Sequence, residues 1–353
     1  MKKLNVSFYV AYPYYFPHFL PISQVFEKNG HNVCYVLSNK QNSQNMEFIA
    51  TQNNVKFVFG SEALLEEDID VIFFANPYPK AKELKAFTIF LEHGIGAKST
   101  SFFSSIEYFD MYIAEGKQKY NRLKELYPHY EDKLALVGFS KFDEVVNMTP
   151  QKKEALYNKY HLDKTKKTIL YAPTFFPSSI EKMKDDFPAQ FKECNIVVKA
   201  HYLTFERKQY QKQLKKFEKW EEYDNCTILP LSEYNLVPWL AISDVMISDE
   251  SSAMFEFASL NKPVISNQYF KLRFSYYFMP WKLKKRIDSS KKAYRVVLDE
   301  AKNYNETIEL TKEALLNPQK REEQRVKLSK DLCGDIDGRV SFRVYDEVLR
   351  RVK

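Results

Sequence analysis

The chain has 353 residues, a net charge of +7 and a hydrophobic share of 44%. This length exceeds what a single hydrophobic core supports, which predicts two domains, and the apolar share excludes a disordered or fibrous chain. The sequence has no recognisable signal peptide and no apolar run of the roughly 20 residues that span a bilayer, so we expect a cytoplasmic protein.

Short apolar runs separated by polar or helical stretches fill the first 150 residues. They predict strands at 4–10, 32–37, 55–59, 71–74, 87–91, 111–114 and 134–137. A helix is predicted over 21–29, closed by Gly30. Strands that alternate with helices are typical of a parallel sheet covered on both faces.

The same alternation begins again after a helix-prone segment at 150–160 and a polar, linker-like stretch at 163–167. Strands are predicted at 168–171, 196–198, 227–229, 245–248 and 263–266, helices at 205–220 and 251–260, and a mostly helical tail at 294–353. The pattern predicts an α/β chain with two doubly wound, Rossmann-like domains, 1–150 and 151–335, facing a central cleft. A C-terminal helix at 336–353 is expected to pack back towards the first domain. Ligands of such sheets bind beyond the carboxyl ends of the strands, so functional residues should follow strands directly.

The segment Leu91-Glu92-His93-Gly94 brings a histidine to the end of a predicted strand. Gly94 lets the backbone approach a ligand closely, and Lys98 adds a fixed positive charge. A histidine near neutral pKa can remove a proton from an attacking hydroxyl, which makes His93 a candidate general base. The alternative is a turn in which this histidine only makes a hydrogen bond.

Two segments end strands of the second half. Thr174 follows Pro173 after the strand at 168–171, and Lys199 and His201 follow the strand at 196–198. Lys199 and His201 together could face a diphosphate. Taken singly, ordinary turn chemistry at Thr174 and a structural histidine at 201 explain the same residues.

The sharpest segment joins the strand at 245–248 to an apolar-striped helix. Free N–H groups and the helix dipole attract phosphate oxygens there, and the hydroxyls of Ser251 and Ser252 add donors. Glu256 lies one turn into the helix and could accept hydrogen bonds from ribose hydroxyls. The alternative is simple capping by Ser251 or Asp249, with Glu256 in solvent.

Other chemistries lack support. Walker, GxGxxG, zincin and Gly-x-Ser-x-Gly motifs are missing and the four cysteines lie far apart, so neither a metal nor another cofactor is expected. Lysine-rich stretches with interleaved aromatic residues at 207–219 and 282–286 would suit an anionic membrane surface, although a solvated helix face explains the same charges. No motif supports nucleic-acid binding.

The order of these segments resembles the CDP-glycerol glycerophosphotransferase family, GT-B enzymes of teichoic acid and capsule synthesis. The resemblance runs from about Phe87 to Arg343. Five motifs carry it: His93-Gly94 with Lys98, the Tyr-Ala-Pro-Thr of 171–174, Lys199-Ala200-His201, Asp249 to Ser252 with Glu256-Phe257-Ala258, and Asp337-Gly338-Arg339.

The resemblance implies that His93 deprotonates the acceptor hydroxyl, while His201 and Lys199 stabilise the diphosphate of a CDP-linked donor, CDP-glycerol or CDP-ribitol. The other implied donor-site residues are Ser251 and Ser252 at the phosphates, Glu256 at the ribose, Lys98, Thr174 and, as secondary candidates, Gly94 and Asp249. An alditol phosphate would pass to a hydroxyl of a lipid-linked glycan or cell-surface polymer, with release of CMP, at the inner face of the membrane. No metal is required, because fixed cations and helix N–H groups can carry the negative charge.

Two other hypotheses share the same fold. A GT-B glycosyltransferase or a UDP-sugar 2-epimerase would release UDP from a nucleotide sugar or epimerise it. A non-enzymatic lipid- or glycan-binding module would bind membranes and show no thermal shift with cytidine nucleotides.

Overall fold

The computed structural model describes residues 2–38, 43–66, 68–95, 105–271 and 289–352. The chain divides into two compact units, Met1–Asn147 with Lys330–Lys353, and Met148–Ser329. The sequence predicts these divisions after residues 150 and 335. The polar stretch 163–167, interpreted as a linker, lies inside the second unit. It is held there because the Asn195 side chain hydrogen-bonds both the N–H and the carbonyl of Asp163.

The first unit has a seven-stranded parallel sheet among its described residues, in the order β3-β2-β1-β4-β5-β6-β7. The strands are β1 (Asn5–Val10), β2 (Asn32–Leu37), β3 (Phe57–Phe59), β4 (Val71–Phe74), β5 (Phe87–Leu91), β6 (Met111–Ala114) and β7 (Leu134–Leu136). The strand order reverses between β1 and β4. Loops that leave such a switch point diverge, and open α/β sheets bind their ligands there.

The helices of the first unit are α1 (Phe16–Lys28), α2 (Ser43–Gln52), α3 (Lys117–Leu126) and α4 (Lys141–Val146). The helix predicted over 21–29 begins five residues earlier, because Pro17 suits a first helical turn and Pro21 is accommodated inside the helix. Gly30 follows the helix with φ +85°, the left-handed conformation that glycine adopts without a steric penalty.

The C-terminal helix belongs to this unit. The Asp143 carboxylate accepts hydrogen bonds from the N–H groups of Val340 (3.0 Å) and Ser341 (2.7 Å), which otherwise lack partners at a helix start. The Tyr345 ring packs edge-on against Phe26 of α1, with ring centroids 5.0 Å apart.

The second unit has a six-stranded parallel sheet among its described residues, in the order β10-β9-β8-β11-β12-β13. The strands are β8 (Lys167–Ala172), β9 (Cys194–Val198), β10 (Cys226–Ile228), β11 (Val245–Ser248), β12 (Val264–Asn267) and β13 (Asp299–Ala301). The order reverses between β8 and β11, which gives this unit its own switch point. The tail was predicted to be mostly helical and β13 was missed, because it has only three residues and two of them are acidic.

The remaining helices are α5 (Pro150–Lys159), α6 (Tyr202–Glu206), α7 (Gln211–Trp220), α8 (Val237–Ile242), α9 (Ala253–Ser259), α10 (Tyr304–Leu316), α11 (Glu322–Cys333) and α12 (Val340–Arg351). Short 3-10 turns occur at Pro13–Tyr15, Ser61–Leu65, Pro79–Glu83, Pro128–Lys133, Ile180–Lys182, Pro188–Phe191, Lys208–Tyr210 and Ser289–Val297. Of the helices in the described ranges, none is both long and apolar enough to cross a bilayer.

The continuous helix predicted over 205–220 is wrong. Arg207 is extended (φ −97°, ψ 121°) and separates α6 from α7. Its guanidinium lies 5.9 Å from the centre of the Phe175 ring, and Tyr210 meets the same ring edge-on at 5.8 Å. The side chains of Arg207 and Tyr210 thus reach the loop after β8. An uninterrupted helix would point these side chains in other directions.

We expect Gly116→Ala to destabilise the first unit by about 1–3 kcal/mol through overpacking. A Cβ at Gly116 would lie 2.5 Å from the Leu332 carbonyl oxygen and also meet the Asp331 carbonyl, so backbone would have to move. Gly30→Ala is the matched control, since a Cβ there has nothing within 4 Å and only the left-handed φ is penalised, by about 1–2 kcal/mol. Urea denaturation measures both; a Gly116→Ala protein as stable as the native one would contradict the close approach.

Candidate active site

In the first unit, His93 lies just beyond β5 and is half-buried. Its Nδ1 atom is 2.7 Å from the carbonyl oxygen of Ala75, the residue that follows β4. A carbonyl oxygen only accepts hydrogen bonds, so Nδ1 carries the proton and donates it. In the neutral ring the other nitrogen, Nε2, then holds the lone pair. The structure therefore sets His93 in the tautomer of a base.

Aromatic rings from the loop after β1 surround the same histidine. The His93 ring centre is 5.3 Å from that of Tyr14 and 5.2 Å from that of Tyr15. Tyr12 stacks on Tyr14 at 5.3 Å, and Tyr15 is buried. His93 thus touches residues that follow β1 and β4, the two strands on either side of the switch point.

In the second unit, the Nδ1 atom of His201 accepts a hydrogen bond, whereas that of His93 donates one. His201 precedes α6, and its Nδ1 accepts a hydrogen bond from the N–H of Leu203 at 3.2 Å. Because an N–H only donates, Nδ1 is unprotonated and the neutral ring carries its proton on Nε2. Burial, followed by the charges of Lys199 and Arg207, lowers the pKa of His201 to about 4. At neutral pH His201 is therefore an uncharged hydrogen-bond donor.

The structure brings three of the sequence motifs together around β8. His201 packs on Phe175, beside Thr174, with ring centres 4.8 Å apart. The Asp249 carboxylate, at the end of β11, accepts hydrogen bonds from the Ser178 hydroxyl (2.9 Å) and from the Ser179 N–H (3.2 Å) and hydroxyl. The loop after β8 is thereby tied to both neighbouring strand ends.

Asp249 sits in a larger buried polar network. Burial raises its pKa to about 7, although the two serines oppose this rise. The Ser179 hydroxyl also contacts the Tyr171 hydroxyl at 2.9 Å and accepts a hydrogen bond from Asn267 at 3.0 Å. Asn267 in turn accepts from Thr307 at 2.7 Å. Asp249 thus organises the β8, β11 and β12 ends, a different arrangement from the cap that the sequence suggested.

Ser251 and Ser252 lie directly before α9, which begins two residues later than the helix predicted over 251–260. Ser251 Oγ accepts a hydrogen bond from the Ala253 N–H at 3.2 Å, which leaves the hydroxyl proton for another partner. Ser252 is half-buried. Glu256 is buried, with 2% of its surface exposed, so the alternative of a solvated Glu256 is wrong. Glu250, the residue before Ser251, forms an ion pair with Arg295 at 2.8 Å.

The remaining predicted residues are positioned as follows. Gly94 is buried beside His93, and Thr174 and Lys199 are half-buried at the ends of β8 and β9. Lys98 lies outside the described residues, as does the lysine-rich stretch at 282–286. In the other basic stretch, Lys219 pairs with Asp185 at 2.5 Å, so part of that charge is compensated.

Within the described ranges, no group of three or more His, Cys, Asp or Glu side chains is arranged to hold a metal ion.

Sequence reasoning missed several residues at these sites. The Tyr-rich loop after β1 was visible as a Tyr-Pro-Tyr-Tyr run, but nothing linked it to His93. Ser178, Ser179, Asn267 and Thr307 are ordinary polar residues whose convergence depends on strand order. The Ala75 carbonyl carries no side-chain signal, so only the structure reveals it.

The fold, with two Rossmann-like units that each have their own switch point, is of the GT-B class. The chain belongs to the CDP-glycerol:poly(glycerophosphate) glycerophosphotransferase family, whose sequence model matches residues 80–350. This match confirms the resemblance on which the sequence analysis rested.

Curated relatives come from teichoic acid synthesis. A teichoic acid glycerol-phosphate primase of Bacillus spizizenii (strain ATCC 23059 / NRRL B-14472 / W23) is 36% identical over 114 residues, which are 32% of this chain and 28% of the primase. A teichoic acid poly(ribitol-phosphate) polymerase of the same strain is 27% identical over 222 residues, 56% of this chain and 30% of the polymerase. The chain thus spans less than a third of the length of these relatives.

Solved structures confirm the predicted fold class. The wall teichoic acid polymerase TagF, as a variant soaked with CDPG, superimposes with a TM-score of 0.71 at 18% identity, over 99% of this chain and 89% of that one. S. aureus MnaA in complex with UDP gives a TM-score of 0.67 at 12% identity, over 99% and 98%. At these identities the likeness concerns the fold alone.

His201→Asn should reduce the dependence of the free energy of unfolding on pH below pH 7. Asparagine keeps a side-chain acceptor for the start of α6 but does not titrate. With a folded pKa of about 4 against an ordinary 6.5, native His201 resists protonation that the unfolded chain accepts, so stability falls as pH drops through this window.

His201 by itself contributes a loss on the order of 2 kcal/mol between pH 7 and pH 5, so the native protein should lose that much more stability than the variant over this range. Urea denaturation at the two pH values measures it. Equal pH dependence in both proteins would contradict the buried, neutral state of His201.

Proposed function

We propose that the chain transfers an alditol phosphate, glycerol phosphate or similar, from CDP-glycerol or CDP-ribitol to a hydroxyl of a lipid-linked glycan or cell-surface polymer. The acceptor oxygen attacks the phosphorus that bears the alditol. The bond between this phosphorus and the bridging oxygen breaks, and CMP leaves with the electron pair. Family membership and the complementary tautomers of the two histidines support this reaction.

His93 is the proposed general base. The hydrogen bond from Nδ1 to the Ala75 carbonyl leaves the lone pair on Nε2, which takes the proton of the acceptor hydroxyl. The same hydrogen bond stabilises the imidazolium that forms, because a carbonyl oxygen attracts the positive ring more strongly than the neutral one. The aromatic ring of Tyr12 beside this site offers an apolar face to an acceptor.

His201 and Lys199 are the proposed diphosphate-binding groups. The neutral His201 ring donates from Nε2 to a phosphate oxygen, and Lys199 supplies a positive charge from the same strand end. In this role His201 needs no proton from solution. Its low pKa keeps the ring neutral over the whole neutral range, and the hydrogen bond from the Leu203 N–H fixes the tautomer.

The other donor contacts follow the family motifs. We propose that Ser251 and Ser252 donate their hydroxyls to phosphate oxygens and that Glu256 accepts from the ribose. Since Glu256 is buried, the ribose must enter a recess of the second unit to reach it. Thr174 and Lys98 complete the proposed donor site, with Gly94 and Asp249 as supporting residues.

The proposed location is the inner face of the cell membrane, where the protein would be peripherally associated. A net charge of +7 supports contact with anionic lipids, and a lipid-linked acceptor would be presented there.

A nucleotide screen tests donor choice. We expect CDP to raise the thermal unfolding midpoint more than UDP or GDP, because a ligand that binds only the folded state stabilises it by mass action, by about 3 kcal/mol at a hundredfold excess over its Kd. Differential scanning fluorimetry measures the shifts. A larger shift with UDP would favour a sugar transferase or epimerase instead.

Substitution of the base tests the chemistry. His93→Gln should lower the rate of CMP release from CDP-glycerol by about 10²–10⁴-fold while the protein stays folded, because Gln cannot take up the proton. His129→Gln is the matched control, since His129 is an exposed histidine of the same unit. CMP release is measured by chromatography with a glycan acceptor present; native turnover in the His93 variant would remove the proposed mechanism.

A further inference from the structure

A buried cluster of charges lies directly behind the His93 segment. Glu92 is the residue between β5 and His93, Glu115 follows β6, and Lys119 lies in the first turn of α3. Their side chains are 1%, 1% and 5% exposed. The Lys119 ammonium is 2.5 Å from one carboxylate oxygen of Glu92 and 2.5 Å from one of Glu115. One cation therefore joins two neighbouring strand ends to a helix.

This cluster is not explained by stability alone. Three charges have lost their water, and apolar side chains of similar size fill such positions at no greater cost. The second carboxylate oxygens of Glu92 and Glu115 are buried without a hydrogen-bond partner among the described residues. The cluster therefore leaves one oxygen of each carboxylate without a hydrogen bond, which apolar side chains at the same positions would avoid.

Burial and the neighbouring charges raise the pKa values of the groups in and around this cluster. Burial raises the pKa of Glu115, Lys119 opposes this and Glu92 adds to it, with a net rise. Burial lowers the pKa of Lys119, but the two carboxylates outweigh it and the net change is a rise. Tyr112 of β6 faces the same groups, and burial followed by the two carboxylates raises its pKa well above the usual value. Lys119 is thus a permanent cation held by its partners.

The helix that carries Lys119 is itself fixed. Gly116 begins α3 and lies so close to the backbone of Asp331 and Leu332 that no Cβ fits between them. α3 therefore presents Lys119 from a rigid support. On the other side, Glu92 and His93 are consecutive residues, so a displacement of one displaces the other.

We propose that Glu92 is a positioning residue, whose buried ion pair with Lys119 anchors the end of β5 and fixes His93 where its Nδ1 donates to the Ala75 carbonyl. Glu115 shares the lysine but holds the end of β6 instead. The catalytic consequence rests on the proposed role of His93 as general base. The structural consequence, an ordered Nδ1 hydrogen bond, stands without it.

Two substitutions form a matched test. Glu92→Gln keeps the Lys119–Glu115 ion pair and removes the one that attaches the end of β5 to α3. Glu115→Gln keeps the Lys119–Glu92 ion pair and removes the one that attaches the end of β6 to α3. Each variant keeps one cation and one carboxylate, so the remaining buried charge is balanced in both. They differ in which strand end stays attached to α3.

We expect Glu92→Gln to lower kcat for CMP release by about 10- to 100-fold with little change in KM for CDP-glycerol, because a misdirected base slows the chemistry and leaves donor binding intact. The exchange of the His93 Nδ1 proton with water, followed by NMR on ¹⁵N-histidine protein, should accelerate by about tenfold or more when its hydrogen bond to Ala75 loosens. Glu115→Gln should leave both quantities within about twofold of the native values.

The outcomes separate the possibilities. Equal effects of the two variants, or a folded Glu92→Gln protein with native kcat and native proton exchange, would overturn the positioning role. If the native protein releases no CMP, the proposed function fails while the proton exchange still decides the role of Glu92. If Glu92→Gln does not fold, the charge-free variant Glu92→Gln, Glu115→Gln, Lys119→Met replaces it, with the same expected loss and the same contradicting result.

Discussion

In each unit a backbone hydrogen bond to the Nδ1 atom of a strand-end histidine decides which ring nitrogen carries the proton. The Ala75 carbonyl accepts a hydrogen bond from the Nδ1–H of His93, whereas the Leu203 N–H donates a hydrogen bond to the Nδ1 of His201. The first ring is left with a lone pair on Nε2 and the second with a proton there. At neutral pH one ring therefore presents a lone pair and the other a proton, and the charges of Lys199 and Arg207 add to burial in keeping His201 neutral.

The His93 hydrogen bond depends on the topology of its sheet, whereas the His201 hydrogen bond is local and comes from a backbone N–H two residues along the chain. The strand order of each unit reverses once, between β1 and β4 and between β8 and β11. His93 meets the residues that follow β1 and β4, and Asp249 ties the loop after β8 to the end of β11. Backbone groups that are far apart in the chain become neighbours because parallel strands end at the same edge. Buried polar contacts then hold each edge: the Glu92–Lys119–Glu115 cluster in the first unit and the Asp249 network in the second.

The sequence predicted the strands well because their apolar runs are short, continuous and bounded by polar residues. β2, β4, β5, β6 and β11 have the predicted limits, and four motifs follow strands as expected. Helices were predicted less well. Arg207 interrupts a predicted helix because its tertiary contact with Phe175 outweighs local helix propensity. Pro21 was predicted to begin a helix but lies inside one that begins at Phe16.

Within the candidate site, the identity of the histidines could be predicted but their tautomers could not. A tautomer depends on a backbone partner, and neither Ala75 nor Leu203 stands out in a sequence. The buried charges were hidden for a similar reason, since Glu92, Glu115 and Lys119 look like surface residues until the fold removes their water. The motifs identify the candidate residues, whereas strand order and burial determine their tautomer and protonation state.

The two histidines occupy opposite tautomers, and their proposed roles as base and hydrogen-bond donor depend on this difference. Long-range ¹H–¹⁵N NMR spectra of the folded protein between pH 6 and pH 8 test it directly, with resonances assigned through the His93 and His201 variants. We expect a protonated Nδ1 in His93 and a protonated Nε2 in His201 over this range. The same tautomer in both rings, or a His201 ring that gains a second proton near pH 6.5, would contradict it.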